Sequence, residues 1–281
     1  MLEDLFVKKS TKRLLLSLGI ITLVLVLSAC GTSTVTKAST NPWDRYVIYN
    51  AAQFVLWLAK ISGGNVGVGI ILFTLIIRVL IFPLSYYQIK SMSKTQAIAP
   101  QLKELQKKYS SKDTETQQKL REETQKLQAE AGVNPVMGCL PLLVQMPFLL
   151  ALYQAIYRTP ALKVGQFLWM NLGKPDPYFI MPILAALFTL ATSVVSTLAQ
   201  PTRTSTNWIM AAVSPLMILV VAFSFPSALS IYWVVTNAFS LAQTFLLQNP
   251  FKMKKEREEK ARAEKEHERA VRKAYKRALK K

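Results

Sequence analysis

Residues 66–88 read VGVGIILFTLIIRVLIFPLSYYQ, and this stretch decides what kind of molecule the chain is. A bilayer core of about 30 Å needs roughly 20 mostly apolar residues in a helix, and this run supplies them. Arg78 lies twelve residues into it, about 18 Å along the axis at ~1.5 Å per residue. A guanidinium at that depth costs at least ~3 kcal/mol. Three remedies exist: an ion pair, snorkelling to the interface, or a hydrated cavity.

Four more stretches have the same character. The five predicted spans are 66–88, 134–157, 177–199, 207–224 and 227–248, so the expected fold class is an all-α membrane protein. None of them contains an Asp or Glu, which removes an ion pair between spans and leaves water or snorkelling for Arg78. Asn134-Pro135 reads as an N-cap with proline at the first helical position. Pro226 leaves almost no connection between the fourth and fifth spans.

The 281 residues are 51% hydrophobic yet carry a net charge of +19, so the charges must be segregated from the apolar blocks. One His and two Cys provide no zinc cluster and no disulfide framework. No nucleotide-binding or metalloprotease motif occurs. We therefore expect neither an enzyme nor a cofactor.

Lysine and arginine set the orientation. Residues 89–133 hold nine and residues 249–281 hold fourteen, whereas residues 158–176 hold only Arg158, Lys163 and Lys174, and residues 200–206 only Arg203. Putting the richest segments in the cytoplasm places the C-terminus inside and the mature N-terminus outside. The extreme N-terminus agrees. Lys8, Lys9, Lys12 and Arg13 precede an apolar run that ends Leu27-Ser28-Ala29-Cys30, the layout of a secretory signal whose ending resembles the bacterial lipobox. Residues 1–29 are then a cleaved lipoprotein signal and Cys30 the lipidated first residue, the alternative being an uncleaved anchor. Residues 31–40 read as a flexible tether. Residues 41–60, with Trp43, Tyr46, Tyr49, Phe54 and Trp57, read as an amphipathic helix at the outer interface, ended by Gly63-Gly64. Together residues 30–65 form an exported region. Cys139 reads as a small buried residue.

Helical spacing collects polar residues around Arg78. Thr74, Arg78, Ser85 and Gln88 share one side of the first span. Thr189, Thr192, Ser193, Ser196 and Gln200 form a stripe on the third, and Trp233, Thr236, Asn237, Ser240 and Thr244 repeat its offsets on the fifth. The second span adds Asn134 and Gln145, the fourth Asn207 and Ser214. Ser and Thr in lipid often bond their own i−4 carbonyl instead. All the stripes lie in the middle or cytoplasmic half. The outer halves, 66–73, 146–153, 178–188 and 216–223, are almost wholly apolar. That one-sided pattern predicts a hydrophilic groove open to the cytoplasm above a dry floor. A solute transporter using Arg78 as an anion site is the competing reading, but it needs a polar route through both halves.

At these residues the sequence resembles the YidC family of membrane protein insertases, over about residues 69–248. The resemblance rests on Arg78-Val-Leu-Ile-Phe-Pro83, on VNPVMGCLPLLVQMP at 133–147, and on FPSALSIYWVVTN at 225–237. The lipobox and the short exported region look like the Gram-positive form. The resemblance implies an insertase and folding chaperone for nascent membrane proteins, working alone or with the Sec translocon, without a cofactor. It implies that Arg78 is the groove arginine, with Gln145 and Trp233 beside it. It also implies that the third and fifth spans make an apolar slide. A family glutamine falls near Ser193 here, so the third span's polarity rests on its Ser and Thr residues and on Gln200.

Residues 89–133 read as a cytoplasmic helical hairpin, with Leu102, Leu105 and Tyr109 on one arm, Leu120 and Leu127 on the other, and Ser110–Asp113 as a capped turn. Residues 249–281 read as a basic helical tail supported by Glu256/Lys260, Glu258/Arg262 and Glu268/Arg272 pairs. Its partner is the ribosome, through RNA phosphates, or the anionic lipid bilayer, or its charge is topogenic only.

Overall fold

A computed structural model of the chain describes residues 33–134, 140–200 and 205–278. The predicted signal, Cys30, Cys139 and Arg203 lie outside the described residues. The elements are α1 (Tyr49–Ile61), entered through a π-helical turn at Asp44–Ile48; α2 (Val66–Ala97); α3 (Ala99–Lys108); α4 (Thr114–Glu130); α5 (Leu140–Arg158); the single turn α6 (Pro160–Lys163); strands β1 (Gln166–Phe167) and β2 (Met170–Asn171); α7 (Ile180–Ala199); α8 (Ser205–Ala222); α9 (Ser227–Leu247); and α10 (Pro250–Ala278). By length and composition, α2 and α7 are able to cross a bilayer, and Asn207–Ala222 of α8 is a shorter apolar helix.

Helix α2 starts where Asn65 accepts from the amides of Gly67 (2.9 Å) and Val68 (3.3 Å), a side-chain N-cap. The helix runs on nine residues past the predicted span, to Ala97. No breaker stands between Gln88 and Ala97, so the backbone keeps its hydrogen bonds past the apolar run. The hairpin starts only at α3. Its turn is as expected, with Asp113 capping α4 through the Thr116 amide at 2.7 Å. The Ser111 hydroxyl, and then that amide, hold the Asp113 carboxyl down at about 2.

Helix α9 packs against α7 on one side and α2 on the other; α8 lies outside α7, and α1 joins α2 and α5. The π-helical turn buries Ile48 and α1 buries Ala52, Val55 and Ala59, which recur at helical offsets along one face. Gly69 lets α2 approach α1 closely: a Cβ built there stands 2.6 Å from the Val55 carbonyl oxygen and 2.9 Å from the Ala59 Cβ.

The stretch at 158–176, expected only as a loop, is structured. β1 and β2 pair Gln166 with Asn171 and Phe167 with Met170. The buried Asp176 caps α7, accepting from the Met181 amide at 2.8 Å and from Trp169 Nε1 at 2.9 Å. The start of α9 is tied to the same region, its Ser227 amide and hydroxyl both donating to the Lys174 carbonyl at 2.7 and 2.8 Å.

The tether is corrected as well. Of its described residues most are exposed, but Val35 is buried and its amide donates to the Arg158 carbonyl at 3.2 Å, and Ser33 is bonded by the Arg158 side chain. Arg158, read as a loop charge, ends α5 inside the structure, 6% exposed. In α10 the acidic residues pair backwards, Lys254 to Glu258 and Lys255 to Glu259 at 3.7 and 4.0 Å, rather than Glu258 forwards to Arg262. All four side chains are exposed, so either arrangement adds little.

The hydrophobic core occupies one end of the bundle. It gathers Ile48 of the π-helical turn, Val55 and Leu58 of α1, Ile70 and Phe73 of α2, Leu152 and Ile156 of α5, Leu162, Met170 and Leu172, and Leu229, Ile231 and Tyr232 of α9. Every one of these lies toward the strands. Farther along α2, α7 and α9, toward the hairpin, most buried residues are polar: Thr74, Gln88, Thr189, Thr197, Thr236, Gln243 and Thr244, with Ala199 the exception; Ser227 and Ser230 at the start of α9 are buried too.

Candidate groove residues

Arg78 stands one turn past Thr74, where the apolar core stops. It is half-buried, and none of the ion pairs among the described residues includes it. The group it faces is Tyr232 of α9, within electrostatic reach. Tyr232 is 5% exposed, and its hydroxyl accepts a hydrogen bond from Nε2 of Gln145 on α5. Three helices therefore bring one cation, one phenol and one amide together at the rim of the core.

The spacing argument picked Arg78 and Gln145 and missed Tyr232. The signal was present: Tyr232, Thr236, Ser240 and Thr244 follow one another at intervals of four. Trp233, one position on, was the residue read into that stripe. It is half-buried, with its ring edge-on to Phe225 at 5.7 Å, and it packs on the core.

Several stripe residues satisfy themselves locally. Thr74 is buried and its hydroxyl donates to the Ile70 carbonyl at 2.7 Å. Thr189 and Thr192 do the same to Ala185 and Phe188. Ser240 donates to the Thr236 carbonyl at 2.8 Å, and Asn237 Nδ2 to the Trp233 carbonyl at 2.9 Å. This is the i−4 back-bonding that short polar side chains make on a helix. Thr236 is buried beside Tyr232. These residues make the hairpin half of the bundle polar without aiming donors at Arg78.

Ser193, Ser196 and Gln200 form a second feature. With Thr197, Asn207, Met210 and Ala211 they line an open cavity of about 380 Å³ between α7 and α8. Asn207 Nδ2 donates to Gln200 Oε1 across it. Its walls do not include Arg78, Gln145 or Tyr232, so the predicted single lining is divided between two places. No group of three or more His, Cys, Asp or Glu suited to a metal occurs among the described residues.

Comparison with known proteins meets this geometry from another side. The family model described as 60Kd inner membrane protein matches residues 57–256. A membrane protein insertase YidC of Enterococcus faecalis is 57% identical over 266 residues, which is 95% of this chain and 96% of that protein. A membrane protein insertase YidC 2 of Listeria innocua is 48% identical over 269 residues, covering 95% and 94%. A crystal structure of an active YidC insertase with its first transmembrane domain resolved superposes with a TM-score of 0.58 at 28% identity, over 73% of this chain and 47% of that one.

Proposed function

The chain belongs to the 60Kd inner membrane protein family of YidC membrane protein insertases, and from that premise we propose how its residues do the work. It is an integral membrane protein that inserts nascent membrane proteins into the bilayer. In our reading α2, α5, α7, α8 and α9 all span the membrane, with the strands outside and the hairpin and α10 in the cytoplasm. The lysine and arginine distribution supports that orientation.

Arg78, Gln145 and Tyr232 then form the head of a groove entered from the cytoplasm, with Ser193, Ser196 and Gln200 lining its side opening and Thr236, Asn237 and Ser240 its wall. One observation carries this reading. Arg78 has no carboxylate partner among the described residues, and it sits past the apolar core, where most buried residues of α2, α7 and α9 are polar. A half-buried cation without a counter-charge is costly, and an acidic segment entering from the cytoplasm would lower that cost. Water in the inner half shortens the apolar distance this segment crosses. No nucleotide motif is present in the sequence, so release is driven by burying the substrate's own apolar helix in lipid, at roughly 25 cal/mol per Å².

The same proposal puts a diacylglyceryl group on Cys30 after removal of residues 1–29. It assigns the hairpin and the basic tail to contacts with the ribosome, and it has the chain work alone or beside the Sec translocon. The test is thiol accessibility in a Cys139→Ala background. Cysteines at Gln145, Ser196 and Ser240 should react with a membrane-impermeant reagent added from the cytoplasm. Cysteines at Ile71, Leu150, Ala186 and Leu219 should not react from either side. Equal labelling of both sets would indicate a through-pore and a solute transporter.

A further inference from the structure

The one buried ion pair among the described residues lies far from the groove, where α5 ends. Arg158 Nη1 and Nη2 donate to Asp44 Oδ1 and Oδ2 at 2.8 and 2.5 Å, a bidentate fork. Nη1 also donates to Gln154 Oε1 at 3.2 Å, Nη2 to Ser33 Oγ at 3.4 Å, and Nε to the Ser33 carbonyl at 2.8 Å. All five N–H donors of the guanidinium therefore have acceptors. Four of these bonds reach elements more than a hundred residues away in sequence. The Arg158 carbonyl also accepts from the Val35 amide, and the Val35 side chain is buried in the core beside Leu152 and Ile156. One arginine thus grips both ends of the stretch between Ser33 and Asp44, and that stretch closes as a loop over the end of α5. A turn held by the Thr36 amide on Ser39 Oγ at 3.0 Å keeps the loop short. Asp44 begins the π-helical turn, a rare local geometry that tends to persist where a side chain must be re-aimed.

A surface tether needs none of this. We infer that residues 33–48 are a docked strap with Arg158 as its lock, which holds the chain's exported N-terminus against the outer end of α5. Where the lipid on Cys30 is present, a point that rests on the reading above, the strap fixes its place. Ser33 is three positions after Cys30 in the sequence, a length of chain that spans at most about 11 Å at ~3.3–3.6 Å per residue. The end of α5 is thereby pinned to the outer leaflet. Gln145 lies thirteen residues along the same helix, and its depth follows as about 20 Å farther in, at ~1.5 Å per residue. Arg158 is a positioning residue for the groove, acting through α5.

The test uses the full-length protein in lipid nanodiscs, in a Cys139→Ala background, with spin labels on Thr34→Cys and Val164→Cys, both exposed positions. Electron-spin distance measurement should give one narrow distribution. Arg158→Gln should broaden it. Val35→Asp strikes the strap and leaves the Asp44 pair in place; it should broaden the distribution too, with the protein still monodisperse. A broad distribution before either substitution, or a narrow one after both, overturns the lock. Intact mass of the same samples reads the lipid separately: a narrow distance with an unmodified position 30 supports the strap and removes the lipid anchor.

Discussion

Replacing Tyr232 by Phe removes one oxygen from the meeting point of three helices and leaves the ring that packs on the core. The ring carries the burial, so the cavity cost of about 3–5 kcal/mol that truncating a large aromatic to Ala brings is avoided. What is lost is the acceptor of Gln145 Nε2 and a dipole within electrostatic reach of Arg78. A buried donor left without a partner costs ~1–3 kcal/mol. Gln145 is only half-buried and water reaches part of it, so the low end, about 1 kcal/mol, applies; with RT of about 0.59 kcal/mol that is roughly a fivefold effect. The assay is initial insertion rate in proteoliposomes for two substrates differing only in an acidic or a neutral translocated tail. Tyr232→Phe should slow the acidic-tailed substrate about fivefold and the neutral one little, with the thermal midpoint nearly unchanged. Combining it with Gln145→Ala should cost less than the sum of the two, since both remove the same bond. Equal slowing of both substrates, or strict additivity, would refute the view that Tyr232 and Gln145 act together on the charged site.

Arg78→Ala should flatten the dependence of insertion rate on the number of acidic residues in the substrate tail, while Arg78→Lys should keep most of it. At an effective dielectric near 20, a pair at ~4 Å is worth up to about 4 kcal/mol, and an unchanged slope in the Ala variant rules the attraction out. Gly69→Ala should lower the thermal midpoint through an overpacking cost of ~1–3 kcal/mol, because the Val55 carbonyl in its way is backbone; an unaltered midpoint would mean that α1 yields freely. The Asp113 carboxyl, held down at about 2, stabilises the start of α4 at all pH values above the ordinary carboxylate range and loses that effect as pH falls toward 2. Carboxyl NMR titration should therefore find its midpoint well below the ordinary aspartate value, and Asp113→Ala should speed amide exchange at Thr116.

The helices were legible because apolar runs of bilayer length and the Pro226 break are local signals. Belonging to the insertase family was legible for a different reason: the residues around Arg78, Gln145 and Tyr232 form long unusual strings. The sequence could not show which way a hydroxyl turns. Thr74, Thr189 and Ser240 sit at the right spacing for a lining and still bond their own helices, since spacing fixes a face and not a rotamer. The division of the polar residues into two places was hidden as well, because periodicity orders residues along one helix and says nothing of how the helices are turned toward one another.

Asp44 and Arg158 were illegible for a third reason. They stand 114 residues apart, and each looks ordinary where it is: an acid before an amphipathic helix, a base at the end of a span. Their pairing gives meaning to the search for a partner to Arg78. The fold does possess an acid able to bury an arginine, and it spends that acid at the end of α5, where all five donors are matched and nothing is left to attract a ligand. Arg78 lies past the core with a phenol for a neighbour and no acid. Of these two arginines, Arg158 is neutralised at the strand end of the bundle, and Arg78, toward the hairpin, has no ion-pair partner among the described residues; under our proposal that end receives charge. A fold that needed only stability at Arg78 would do as well with an apolar residue there; keeping the unpaired cation makes sense if its counter-charge arrives with the substrate.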